Sequence, residues 1–196
     1  TSADVFIYGS VTLATGSREA ALQAAHQVKE AGGQVVFDVN LRQSLWADLD
    51  TARHQIETAL ATADVVKLNE AELAFLTGSS DPVQGARALL EAGPELCCVS
   101  LGADGATFAT GAASGHVPAF PVEVADTTGS GDAFVAGLAW ELFSRGGSRR
   151  WTEAHLRRAV TFANACGALA ATRLGAMSAL PTRDEVAILV QSGKLR

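Results

Sequence analysis

Cysteine is scarce in this chain, and its few cysteines do not read as a framework. Three in 196 residues cannot all pair, and adjacent Cys97 and Cys98 would point to opposite faces of a strand. Neither a disulfide scaffold nor a zinc site is therefore supported. His26, His54, His116 and His155 lie far apart, without metal-ligand spacing. Positive charge is in deficit: 15 Lys and Arg stand against 21 Asp and Glu, a net charge of -6. Nucleic acid is thereby disfavoured as the main partner, since neutralising phosphates needs a cationic surplus on one face. The basic cluster Arg145, Arg149, Arg150, Arg157 and Arg158 reads as a solvated turn and helix surface. No apolar run reaches the length of a membrane span, and the first residues lack a signal-peptide pattern. The phosphate loop G-x-x-x-x-G-K-[ST] is missing, and Phe134 stands where a dinucleotide motif would need its third glycine. With 48% hydrophobic residues, the expectation is one globular domain over 1–196, at home in a reducing cytoplasm.

Against these absences, the segment Asp126-Thr127-Thr128-Gly129-Ser130-Gly131-Asp132 stands out, because it runs straight into the apolar stretch Ala133 to Trp140. Gly129 and Gly131 flank one small residue, so the backbone can turn tightly and bring several N–H groups to one point. A helix start there adds unpaired N–H groups and a positive dipole end, which suits a phosphate. Asp132 would be repelled by that anion unless it has a task, and a general base for a hydroxyl attacking phosphorus fits both needs. The plainer reading is a glycine turn capping a buried helix, with Asp132 as a first-turn dipole partner.

Elsewhere, short apolar runs alternate with helical patterns, which predicts βα units and a mostly parallel, doubly wound sheet. Strands are expected at Val5 to Tyr8, Val35 to Asp38, Val65 to Lys67 and Cys97 to Leu101. Helices are expected at Ser17 to Ala31, Asp50 to Ala61, Asn69 to Leu76, Pro82 to Ala92, Gly131 to Phe143, Thr152 to Thr172 and Thr182 to Gln191. Glycines and prolines between Gly105 and Val124 predict a hairpin or meander. Ligands are expected at the carboxyl ends of the strands.

Polar groups gather there. Asp38, Asn40 and Arg42 alternate past a strand end and could converge on a polyhydroxylated ligand, Arg42 serving an anionic oxygen; a strand-end turn explains the same residues. Asn69 and Glu72 are spaced as a helix capping pair. Ser100 to Gly105 reads as a strand-to-hairpin turn, and Asn164 lies in a helix of small residues.

Taken together, Asp126 to Asp132 with its helix resembles the second signature, D-T-x-G-x-G-D, of the ribokinase-like (PfkB) carbohydrate kinases. F-D-x-N-x-R at 37–42, followed by Leu45-Trp46, is similar to fructokinases and 2-keto-3-deoxygluconate kinases of that family. The resemblance implies ATP-dependent phosphorylation of a sugar, fructose first and 2-keto-3-deoxygluconate as the alternative, with Asp132 as catalytic base and Gly129, Ser130 and Gly131 as anion hole. It assigns Asp38, Asn40, Arg42 and Asp132 to the sugar, and Lys67, Asn69, Ser100, Gly102, Gly105 and Asn164 to the nucleotide. Glu72, through the N-x-x-E motif, influences magnesium, which it need not touch directly. Asp126, Thr128, Ala170, Arg173 and Gly175 match a monovalent-cation segment, although Ala179 stands where some ribokinases carry a serine. The family also implies a lid, a Gly-Gly sugar segment and earlier strands that this chain lacks. The expectation is thus the C-terminal two thirds or so of a kinase, inactive alone and homodimeric when whole. A non-catalytic binding protein of the same fold is the rival.

Overall fold

The computed structural model describes residues 4–144 and 151–193. Six strands form a mixed sheet flanked by helices, and they follow one another across it in chain order. These strands are β1 (Val5–Gly9), β2 (Gln34–Asp38), β3 (Val65–Asn69), β4 (Leu96–Ser100), β5 (Ala106–Ala109) and β6 (Ser114–Val117). The expected α/β class holds. Two compact units are distinguished, one of residues 4–99 and 108–114, the other of 100–107, 115–144 and 151–193.

In the first unit, α1 (Ser10–Ala14) and α2 (Arg18–Glu30) connect β1 to β2, and α3 (Leu49–Leu60) connects β2 to β3. Both pairings are parallel, as such crossovers require. Val35 to Asp38 and Val65 to Leu68 are buried without interruption, the pattern of strands covered on both faces. α3 buries Ala52, Ile56, Ala59 and Leu60, one stripe at helical spacing. Its start is Leu49, not Asp50, because Asp48 serves as the cap and accepts the Thr51 N–H. α4 (Glu70–Thr77) and α5 (Pro82–Leu90) lead on to β4. α1 was not expected: Val11 and Thr12 are weak helix formers, but burial of Ser10 and Leu13 overrides that weak propensity. β4 lies one residue earlier than expected, since Leu96 is buried and Leu101 turns its N–H to Gly105 O.

β5 and β6 realise the expected hairpin, turned where Thr110 N–H donates to Ala113 O at 2.8 Å. In the second unit, α6 (Ser130–Phe143), α7 (Glu153–Ala171) and α8 (Arg183–Ser192) enclose a core of Ala133, Ala165, Cys166, Leu169, Ala170, Val186 and Leu189. α6 begins at Ser130, one residue before the expected Gly131. The Arg157 and Arg158 side chains are exposed, as expected, and pair with exposed Glu153 and with buried Glu141 of α6; Arg145, Arg149 and Arg150 lie outside the described residues. All three cysteines are buried and free. Among the described residues, no helix is long and apolar enough to cross a membrane.

Candidate functional site

Register decides what meets at the strand ends of the first unit. Gly9 pairs with Asp38, and Asp38 with Lys67, so the carboxyl ends of β1 and β2 lie level while β3 runs two residues further, to Asn69. Lys67 Nζ stands 3.2 Å from Asp38 Oδ1. Asp38 therefore does not leave the sheet as one of three converging side chains: it is buried against Lys67, while Asn40 is half-buried and Arg42 exposed. A buried charge needs such a partner.

The N-terminus of α4 sits at the same end. Asn69 Oδ1 accepts the Glu72 N–H, and Glu72 Oε2 accepts the Asn69 N–H, both at 2.9 Å, completing the capping box that the spacing suggests. Glu72 Oε1 meanwhile accepts the Leu41 N–H at 2.8 Å, a bond no local pattern announces. Both carboxylate oxygens thus have a backbone donor. Among the described residues, no three His, Cys, Asp or Glu gather as a metal cage. Glu72 suits magnesium held through water and phosphate oxygens, the usual habit of that ion.

The nucleotide candidates of the second unit are tied to one another. Gly102 and Gly105 have φ of +59° and +98° on either side of the short turn after Ser100. A Cβ on Gly105 would meet Val117 O at 2.2 Å and Ala119 N at 2.6 Å, so only glycine lets segment 117–119 approach. Buried Asn164 donates its side-chain amide to Val117 O at 3.0 Å and Pro118 O at 3.1 Å. Its first task is to hold that segment. Sequence reasoning missed this, although a buried amide in a small-residue helix always demands a partner.

Asp126 closes the remaining group. Its Oδ1 accepts the Thr128 N–H at 2.9 Å, its Oδ2 the Gly175 N–H at 3.1 Å, and its own N–H donates to Ala171 O at 3.2 Å. Hydrogen bonds from Thr128, then Gly175, hold its carboxyl below the usual range. The cation candidates Asp126, Thr128 and Gly175 are thereby brought together. Buried Ala170 already accepts the Thr172 and Arg173 N–H groups, and the Arg173 guanidinium pairs with Glu185.

Gly129 is the N-cap of α6 at φ +80°, and its missing Cβ leaves room for Ala176, whose Cα would otherwise lie 3.2 Å away. Among the described residues, no side chain caps this helix. Ser130 Oγ is buried without a hydrogen-bond partner among the described residues, and Asp132 is exposed in the first turn. An uncapped helix start with a glycine turn and an accessible carboxylate can hold an anion and accept a proton beside it.

The profile of the pfkB family of carbohydrate kinases matches residues 1–183. The chain is 41% identical over 191 residues to aminoimidazole riboside kinase of Salmonella typhimurium, covering 97% of this chain and 59% of that protein. It is 44% identical over 171 residues to fructokinase of Klebsiella pneumoniae, covering 87% of this chain and 55% of that one. Among solved structures, fructokinase from Vibrio cholerae O395 bound to fructose, ADP and calcium superposes with a TM-score of 0.89 at 38% identity, over 97% of this chain and 61% of that chain. The chain thus spans less than two thirds of the length of these relatives.

Proposed function

The chain belongs to the pfkB family of carbohydrate kinases, and we propose on that premise that the protein transfers the γ-phosphoryl group of ATP to a hydroxyl of fructose. The observation that carries this reading is the start of α6: a helix N-terminus without a side-chain cap, a left-handed Gly129 before it, and Asp132 exposed in its first turn. Asp132 takes the proton of the sugar hydroxyl as its oxygen attacks the γ-phosphorus, and the bond to the ADP oxygen breaks. The N–H groups of Gly129 to Gly131 receive the charge on the transferred group, the electrostatic contribution that dominates phosphoryl transfer. Ser100, Gly102, Gly105 and Asn164 serve the nucleotide, the last two by shaping segment 117–119.

Asn40 and Arg42 bind the sugar, with Asp38 and Lys67 setting the strand ends beneath them. Asn69, exposed at the start of α4, serves the phosphates, with the charge of buried Lys67 behind it. Glu72 would orient the water shell of magnesium, which when bound would neutralise phosphate charge. Asp126 with the turn at Gly175 offers a place for potassium.

A second acceptor, aminoimidazole riboside, is favoured by the 41% identity to a kinase of that name. An ADP-release assay of the full gene product against fructose, aminoimidazole riboside and 2-keto-3-deoxygluconate separates these readings. Fructose is expected to give the highest kcat/KM. Absence of acceptor-dependent ADP release with all three would refute the kinase reading.

A further inference from the structure

One peptide unit in the first unit of the molecule is held from both ends. Ser10 Oγ donates to the carbonyl oxygen of Asn40 at 3.3 Å, and Glu72 Oε1 accepts the N–H of Leu41 at 2.8 Å. These two atoms belong to the same Asn40–Leu41 amide, whose planarity makes its C=O and N–H point in opposite directions. The holders come from opposite neighbours of β2. Ser10 begins α1 directly after β1, Glu72 lies in α4 directly after β3, and both strands pair with β2. Ser10 is 0% exposed and Glu72 5%, so each side chain is committed to its bond, because a buried polar group left unpaired is costly.

Asn40 needs the restraint. Its φ of +35° is the one positive value among the described non-glycine residues, a region that such residues enter only when the surroundings hold them there. A chain that merely had to turn here would be served as well by glycine. Asparagine instead carries an amide into the strand-end space, and among the described residues that side chain has no hydrogen-bond partner. It is half-buried beside the Asp38–Lys67 pair's strand end and able to give and accept hydrogen bonds at once.

We infer that Ser10 and Glu72 are positioning residues that clamp the Asn40–Leu41 peptide and thereby aim the Asn40 amide at the hydroxyls of the acceptor. This rests on the sugar kinase reading above. Neither residue touches the acceptor. Ser10 lies 30 positions from Asn40 and has no place in the nucleotide machinery, so its loss should act on the acceptor alone.

The test uses the full gene product, with KM for fructose and for ATP measured separately. Ser10→Ala removes one end of the clamp and is expected to raise the fructose KM about fivefold, the scale of one neutral hydrogen bond, with the ATP KM within about twofold of wild type. Asn40→Gly keeps the left-handed backbone without strain and discards the amide; it should raise the fructose KM by a similar factor. The double variant should be no worse than the worse single one, since a clamp has nothing to aim once the amide is gone. Hydrogen exchange at the Leu41 N–H, faster in Ser10→Ala while the β2 amides stay protected, shows that only the peptide was freed.

An unchanged fructose KM in Asn40→Gly, equal losses for fructose and ATP in Ser10→Ala, or additive effects in the double variant each overturn the clamp while leaving the kinase reading intact. A wild-type protein that phosphorylates no acceptor overturns the kinase reading first, and the clamp's task with it. Where wild type prefers another acceptor, the same measurements are made with that one.

Discussion

Lys67 Nζ lies 3.2 Å from Asp38 Oδ1, and the two side chains are only 7% and 9% exposed. Two neighbouring parallel strands thus set opposite charges side by side, drawn out of water. Such a pair is worth little against an apolar replacement, but breaking it strands one charge in the interior. Lys67→Met should therefore lower stability by about 3–5 kcal/mol, and the double variant Lys67→Met with Asp38→Leu should recover much of that loss. Urea unfolding of the purified proteins reads both. A single variant as stable as wild type would mean that the pair is hydrated in solution.

Asp132→Asn keeps the shape of the α6 start and removes the proton acceptor. Turnover is expected to fall by about 10²- to 10⁴-fold, with ATP affinity close to wild type. Steady-state kinetics with nucleotide titration decide it, and turnover within threefold of wild type would remove Asp132 from the role of base.

Gly129→Ala puts a Cβ at φ +80°, 3.2 Å from the Ala176 Cα. The conformational penalty alone is about 1–2 kcal/mol, and the turn at 173–176 must also give way. A drop in melting temperature together with weaker nucleotide binding is expected. A drop in melting temperature with unchanged nucleotide affinity would separate the turn from the anion site.

Glu185 sits at the start of α8, with Arg173 and the Thr182 cap around it. The Arg173 hydrogen bond, then those of the Thr182 N–H and hydroxyl, bring its carboxyl from 4.5 down to about 2. A depressed acid stabilises the fold above its ordinary value, and that contribution is lost as pH falls from 4.5 through about 2. Because the side chains are 41% and 37% exposed, solvent and salt keep the contribution below about 1 kcal/mol. Melting temperature against pH should accordingly be flatter in that window for Glu185→Gln than for wild type. Parallel curves would count against the pair.

Arg42 is exposed beyond the end of β2. Arg42→Ala should reduce kcat/KM for 2-keto-3-deoxygluconate more than for fructose, since only the former offers a carboxylate to a guanidinium. Equal losses on both would place Arg42 on the phosphate side.

The residues that the sequence made legible are those whose physics is local. The Gly129 to Asp132 turn before an apolar helix, the Asn69–Glu72 capping box and the alternation of strands with helices all follow from spacings of a few residues. Backbone geometry, capping and hydrophobic period act at that range. The tertiary structure alone decided what those elements meet. Asp38 pairs with Lys67 across 29 positions, Glu72 reaches Leu41 across 31, Asn164 holds Val117 across 47, and Asp126 holds Gly175 across 49. Each contact depends on strand register or helix packing, and these are set by burial summed over whole elements. A one-residue slip of β3 against β2 would leave every local signal in place and turn Lys67 away from Asp38.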